Sequence, residues 1–451
     1  MDENQQKMEN IVSLAKRRGF IYQGSEVYGG LSGTWDFGPL GVTLKRNITN
    51  LWWKMFVSDR DDMYGVDAAI LMNQKVWQAS GHVDTFTDPL VEDTETKQRF
   101  RADHLLKDAG FEVEGLSLDD MTKLIQDYGV KSPNGNPLSE VRTFNMMFKT
   151  NVGPIEDESS ISYLRPETAQ GIFTNYKNVI DSFYPDLPFG IAQIGKAFRN
   201  EISPRDFIFR SREFEQMEIE YFVNPEAWEE SFEHWRNKVW DWTRALGLPD
   251  ESVHELEVPE ADRAHYSKRT IDFEFDFPIG REELLGLAYR TDFDLTNIQN
   301  ASGKSMEYTI KGTNDKLIPH VIEPSFGVER AVMAVLSSAY QEDEIDGEKR
   351  IFLKLPAHLA PVRYAVSPLV RNKPELVEKA REVYGALKER YGAVMWDDNG
   401  NIGKRYRRQD EIGTPYCVVV DFDTTQGDGT VTVRDRDTTE QKRVTIDSLL
   451  A

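Results

Sequence analysis

The alternation of apolar and polar residues over 5–18 predicts an amphipathic helix, and Gly19 stops it. Residues 20–40 are punctuated by Gly24, Gly29, Gly30, Gly33 and Gly38, which predicts turns and short strands. A helix over 42–56 follows, entered through Pro39. The pattern loosens from about 85 to 160, with charged helical pieces over 97–109 and 118–128 and a turn at 132–137. Strand-like segments then dominate to about residue 222. A tryptophan-rich amphipathic helix over 226–246 carries Trp228, Trp235, Trp240 and Trp242, expected to serve the core rather than to stack on bases. Past an acidic stretch at 342–349, strand and helix patterns alternate to the end of the chain: a strand at 364–366, a helix over 373–391, and strands at 393–396, 416–420 and 431–433. These predict a mixed α/β unit of about one hundred residues behind a larger one.

Chemistry concentrates between residues 198 and 218. The chain reads Phe-Arg-Asn-Glu at 198–201, then a charged loop, then Arg-Glu-Phe-Glu-Gln-Met-Glu at 212–218. Two runs of strand composition, 191–198 and 213–222, flank the loop and predict an antiparallel hairpin on which alternate residues share a face. Arg199 and Glu201 are expected on one face of the first strand, and Phe214, Gln216 and Glu218 on one face of the second. A guanidinium grips phosphate with two parallel hydrogen bonds, a carboxylate accepts from an exocyclic amine, and a Phe face stacks on a purine. Arg205, Arg210 and Arg212 in the loop can hold further phosphates. The competing explanation is an amphipathic hairpin whose charges face water.

Further along, Gly-Val-Glu-Arg at 327–330 leads into the apolar run 331–336, the pattern of a strand-to-helix junction. Together with the hairpin and the proline-entered helix, this order resembles motifs 2, 3 and 1 of the class II aminoacyl-tRNA synthetases. The finer resemblance is to glycyl-tRNA synthetases of the single-chain, homodimeric type. It is carried by residues 14–20, 28–30, 35–41, 101–105, 144–148, 165–171, 283–295 and 404–413, and so spans nearly the whole chain.

The resemblance implies an α/β (α+β) fold: an antiparallel-sheet catalytic domain with helices over 1–349 and a mixed α/β anticodon-binding domain over 350–451. The stretch 85–160 becomes an insertion between motifs 1 and 2, either touching the tRNA acceptor end or serving as a structural cover. The implied reaction is ATP-dependent attachment of glycine to the 3′ end of tRNA(Gly) through glycyl-adenylate. By resemblance, Arg199 holds the α-phosphate of a bent ATP and Arg330 its γ-phosphate end. Phe214 stacks on adenine and Glu201 accepts from its amine. The ATP site takes in Asn200, Phe209, Arg210, Ser211, Arg212 and Glu213, then Leu284, Val328 and Glu329. Glu283 is the implied Mg²⁺ ligand. Glycine offers only its ammonium, its carboxylate and a bare Cα. Glu167, Glu218 and Glu323 fall where the family places ammonium-binding carboxylates. Arg101 and Ser325 are further contacts, and the glycine site also takes in Glu215, Gln216, Met217, Pro324, Phe326 and Gly327. Two other functions fit the same motifs: a class II synthetase for another small amino acid, and a non-catalytic accessory subunit that binds a partner or nucleic acid.

Composition narrows the setting. Cys417 is the single cysteine of 451 residues, which excludes a disulfide framework and a cysteine zinc site. The seven histidines show no metal-binding spacing. Neither a targeting segment nor a membrane-spanning run is present in the pattern, so a cytoplasmic protein is expected. The formal net charge is -22. Residues 350–451 hold 17 Lys and Arg against 15 Asp and Glu, whereas the preceding residues hold 37 against 61. The unit expected to meet RNA therefore escapes the acidity of the rest. Within it, Lys404 to Arg408 places four cations around Tyr406, either a solvated loop or a contact for tRNA phosphates.

Overall fold

The computed structural model describes residues 3–113, 115–264, 266–345 and 347–451. Helix α1 (Glu3–Arg18) ends at Gly19, whose φ of 77° is the left-handed geometry that favours glycine. Helix α2 (Pro39–Trp53) starts earlier than the pattern predicts, because Pro39 sits inside its first turn, and it runs into a widened turn at Lys54–Ser58. Leu44, Ile48 and Trp52, four residues apart, bury one face of α2. Gly41 lets the same helix press on the chain before it: a Cβ there would lie 1.8 Å from the Phe20 carbonyl oxygen.

A seven-stranded sheet carries the larger unit. Its strands are β1 (Met63–Gly65), β2 (Phe189–Phe198), β3 (Glu213–Val223), β4 (Val253–Glu257), β5 (Arg269–Phe277), β6 (Gly280–Thr291) and β7 (His320–Gly327), in the spatial order β4-β5-β6-β7-β3-β2-β1. All neighbours are antiparallel except β1, which runs parallel to β2. Helix α3 (Ala169–Phe183) precedes β2, α4 (Trp228–Ala245) follows β3, α5 (Phe293–Ser302) follows β6, and α6 (Val328–Ala339) leaves the end of β7. Ten of the twelve residues of α6 are buried, and the apolar run 331–336 lies wholly within the core. Trp52, Phe56, Trp242 and Phe326 pack ring against ring, with centroids 4.9 to 5.8 Å apart, and tie α2, α4 and β7 into one core. Trp235 is likewise wholly buried, whereas Trp228 stacks on Tyr289 and Trp240 donates to Glu255.

The acidic stretch expected to mark a boundary, of which Asp346 lies outside the described residues, is a hairpin of strands Tyr340–Ile345 and Glu348–Leu353. Beyond it stands a mixed five-stranded sheet of β8 (Tyr364–Pro368), β9 (Val394–Trp396), β10 (Tyr416–Val420), β11 (Thr430–Asp435) and β12 (Gln441–Thr445), ordered β9-β8-β10-β11-β12. Helices α7 (Pro374–Tyr391) and α8 (Ile402–Glu411) accompany it. The segment 404–408 is therefore helical rather than a loop. Asn401 caps α8 through the Lys404 N–H, and the helical period turns Arg405 inward onto the Pro368 and Gly400 carbonyls. Arg408 pairs with Asp397 and Arg407 with Glu348, so neither cation is free of intramolecular work.

Two glycines should respond oppositely to an added methyl. Gly41→Ala must push α2 off the Phe20 backbone and is expected to lower stability by roughly 1–3 kcal/mol. Gly385→Ala, exposed on α7 with nothing within 4 Å of the added Cβ, should gain about 0.5–1 kcal/mol of helix propensity. Chemical denaturation of both variants checks this, and a neutral Gly41→Ala would contradict the packing described.

Candidate functional site

Strand β3 lies at the centre of the site because it pairs on both sides. Against β2 it sets Gln216 opposite Gly195 and Glu218 opposite Gln193; against β7 it sets Gln216 opposite Gly327 and Glu218 opposite Ser325. Strand β6 in turn sets Gly286 opposite Ser325 and Ala288 opposite Glu323. Alternation then delivers Phe214, Gln216, Glu218, Ser325 and Glu323 to one face, where they line a cavity of about 490 Å³. Arg101, Glu167, Arg199, Glu201, Phe209, Arg210, Ser211, Glu283, Leu284, Gly327, Glu329 and Arg330 line it as well.

One end of the cavity is cationic and aromatic. Strand β2 ends at Phe198, so Arg199 and Glu201 do not share a strand face as expected. Glu201 donates its N–H to the Arg199 carbonyl, which breaks the alternation. Arg199 is nonetheless well placed: Nε donates to the Pro166 carbonyl at 3.1 Å and the guanidinium lies 5.2 Å from the Phe214 ring. Arg330 lies over Phe209 and pairs with Glu283 at 2.9 Å. The charge of Arg330 holds the carboxyl of Glu283, whose side chain is 48% exposed, below its usual range. Beside it, Asp272 of β5 is pushed up to about 7 by burial and by the charges of Glu283 and Glu274. A Cβ on Gly286 would sit 3.8 Å from Asp272 Oδ1 and 4.0 Å from Glu283 Oε1, so both carboxyls converge over a position without a side chain. Two hard oxygen donors, one of them raised by burial and by its anionic neighbours until a cation relieves them, suit a divalent cation such as Mg²⁺.

The opposite end is acidic and buried. Arg290 of β6, only 1% exposed at its side chain, pairs with Asp294 at 2.8 Å and with Glu323 at 2.8 Å, and its guanidinium lies 3.7 Å from the Tyr266 ring centroid. Gln170 donates to the same Asp294. Glu218 accepts from Thr168 and from Ser325 Oγ at 2.7 Å. Glu167 faces His82 at 3.3 Å, and its Oε1 is buried without a partner among the described residues. Burial disfavours ionisation of Glu167, but His82, Arg290 and Arg199 overcome it and bring its pKa to about 2. Glu323 behaves oppositely: burial first, then Glu218 and Glu167, push it up to about 8 against the pull of Arg290. Burial and the Glu167 charge also raise Glu218. Ionising Glu323 therefore favours the unfolded chain: stability present below about 4.5 is lost as pH rises through about 8, unless a cation enters.

Several expected residues do not line the cavity. Met217, Phe326 and Val328 point into the core, and Pro324 is buried between β3 and β6. Glu215 turns to the other face, where it meets Lys45 at 2.7 Å, and Glu213 meets Lys196 at 2.9 Å. Arg212 donates to the Ser32 and Glu201 carbonyls, and Asn200 is tied through its N–H to Met146. Arg101 reaches the lining while bound to Asp88 and Asp103. Conversely, sequence reasoning missed Asp272, Tyr266 and Arg290. The alternation Thr270, Asp272, Glu274 on β5 carried a signal for the first, and Arg290 stands inside the segment 283–295 that carries the family resemblance; no pattern marked Tyr266.

The comparisons with known proteins agree in kind. Residues 148–339 match the family model of the tRNA synthetase class II core domain (G, H, P, S and T), and residues 364–451 match that of the anticodon binding domain. The chain is 49% identical to a glycine–tRNA ligase of Deinococcus radiodurans, across 98% of this chain and 97% of the relative. It is 49% identical to that of Caldanaerobacter subterraneus subsp. tengcongensis (98% and 96%) and 48% identical to that of Clostridium acetobutylicum (99% and 98%).

Replacing Arg290 with Met leaves Asp294 and Glu323 buried without their cation. The expected loss is about 3–5 kcal/mol in chemical denaturation near neutral pH. Parental stability of Arg290→Met would show that the acidic end is not organised by this guanidinium.

Proposed function

The chain belongs to the glycine–tRNA ligases of the class II aminoacyl-tRNA synthetases, and from that premise we propose that this one cavity performs the activation of glycine by ATP and its transfer to the 3′ end of tRNA(Gly). The observation that carries the assignment is the division of the cavity: a buried excess of carboxylate at one end, and Arg199, Arg330 and Phe214 at the other.

Glycine enters with its ammonium toward Glu167, Glu218 and Glu323. The unpartnered Oε1 of Glu167 and the raised pKa values of Glu218 and Glu323 describe carboxyls that a cation would satisfy. Its carboxylate then faces the nucleotide end and attacks the α-phosphorus of ATP, giving glycyl-adenylate and pyrophosphate. No covalent nucleophile is needed. Arg199 neutralises charge that develops on the α-phosphoryl oxygens, Arg330 holds the terminal phosphates once it exchanges Glu283 for them, and Phe214 supplies a stacking face for adenine. Glu201, on the lining of the cavity, is the acceptor we assign to the adenine amine. Glu283 and Asp272 would hold Mg²⁺, which when bound screens the phosphate charge. The terminal ribose hydroxyl of the tRNA then attacks the glycyl carbonyl, loses its proton and displaces AMP.

The chain division follows the same logic, with residues 1–349 as the catalytic unit and 350–451 as the anticodon-binding unit, although the boundary falls inside the strand Glu348–Leu353. In the single helical turn Glu26–Tyr28, Val27 and Tyr28 are 89% and 92% exposed, which fits a second copy of the chain covering them in a symmetric homodimer. Light scattering tests that state. Among the described residues no helix is long and apolar enough to cross a membrane, and the enzyme is assigned to the cytoplasm. An accessory, non-catalytic role fits less well, because the cavity keeps Arg199 and Arg330.

Amino-acid-dependent pyrophosphate exchange across the twenty amino acids tests the reading. Glycine alone should support exchange, since a larger competitor must clash where Cα is bare. Preferential exchange with alanine or serine would assign another small amino acid, and exchange with none would support the accessory role. In separate binding measurements, Glu218→Gln should weaken glycine by about tenfold or more while ATP affinity changes little. Unchanged glycine affinity would remove Glu218 from the ammonium site.

A further inference from the structure

Glu220 lies one alternation beyond Glu218 on β3 and has no part in the mechanism above. It is wholly buried, and neither carboxyl oxygen has a partner among the described residues. Carboxyl oxygens of Glu218, Glu220 and Glu323 lie within 4.8 Å of one another. The cation nearest to hand does not reach it: the Nε, Nη1 and Nη2 groups of Arg290 are given to Asp294 and Glu323. The charged groups around Glu220 are Glu218 on its own strand, Glu323 from β7, Arg290 from β6 and Asp294 from α5. Gln193 of β2, opposite Glu218, and Gln170 and Phe173 of α3, which meet Asp294 and Arg290, do not titrate. Three carboxylates this close in a buried layer cannot all be ionised, and they share protons as a group.

We propose that Glu220 is a positioning residue for glycine binding: it keeps the shared proton, donates it as a hydrogen bond to Glu218 or Glu323, and so lets those two carry charge toward the substrate ammonium. Of the three, Glu220 is the one with both oxygens unpaired, so a proton there gains a bond and breaks none. On Glu218 or Glu323 it would compete with the Thr168, Ser325 and Arg290 donors already present. Burial, followed by the charge of Glu323, also raises Glu220 well above the usual carboxyl range. The assignment rests on the ammonium site proposed above.

The test measures the KM for glycine and for ATP by pyrophosphate exchange between about pH 6 and 9 in the parent, Glu220→Leu, Glu220→Gln and Glu218→Gln. Without the donor, ionisation of Glu218 and Glu323 becomes harder. Glu220→Leu should therefore raise the glycine KM about tenfold at neutral pH and displace the rise of kcat/KM for glycine to higher pH, with the ATP KM held. Gln, a neutral donor of similar shape, should restore most of the loss. A shift to lower pH in Glu220→Leu, or Gln failing as badly as Leu, would mean that Glu220 acts as an anion, and parental behaviour of both would mean it does nothing; each overturns the proposal. If Glu220→Leu does not fold, the Gln variant decides alone, since loss of its charge is damaging only if Glu220 is an anion. Glu218→Gln separates the two readings. A silent Glu218→Gln sinks the ammonium site itself, whereas a raised glycine KM there with silent Glu220 variants sinks only the role of Glu220.

Discussion

Arg290 is a guanidinium held in the interior with more carboxyls around it than it can satisfy. Its donors go to Asp294 and Glu323, while Glu218, Glu220 and Glu167 stand beyond them. A guanidinium stays protonated in this setting, and it gives its hydrogen bonds to Asp294 and Glu323. The remaining negative charge is tolerated only by protonation or by the arrival of another cation. The carboxyls raised by burial and the one held low by His82 are two responses to that same constraint.

The sheet makes the constraint persist. Residues that meet at the acidic end come from β3, β6, β7 and the segments before α3 and within α5, far apart in the chain, and the antiparallel register sets their spacing. Ring packing among Trp52, Phe56, Trp242 and Phe326 fixes the strands from the other face. A loop could relax away from uncompensated charge; a strand paired on both edges cannot do so without losing ladder hydrogen bonds. The same stiffness keeps Phe214 and Arg199 at a set distance from the carboxyls, so ammonium recognition and phosphate binding are held in one frame.

Much of this was legible in the chain. The order of three motifs and the spacing at 198–218 led to the antiparallel-sheet class, and alternation brought Phe214, Gln216 and Glu218 to a common face. Alternation misled where the strand ended, since Glu201 follows a tight turn after Phe198. It also stopped short, because Glu220 continues the same parity and was passed over. Whether Glu220 faces Glu323 depends on pairing between strands about one hundred residues apart, which a single sequence does not encode locally. The four cations of 404–408 were misplaced for a different reason. A helical period distributes them around an axis, one inward and two into ion pairs, and composition alone hides that geometry.

Proton release on glycine binding tests the central claim most directly. Calorimetric titration of glycine near pH 7, in buffers of different ionisation enthalpy, counts protons exchanged at the site. A carboxyl group that awaits a cation must give up a proton when the ammonium arrives, because Glu323, raised to about 8 by burial, becomes ionised beside it. Net release, growing smaller as pH is raised past 8, is the predicted result. No exchange, or uptake of a proton, would contradict a cation-starved carboxylate cluster as the seat of glycine recognition.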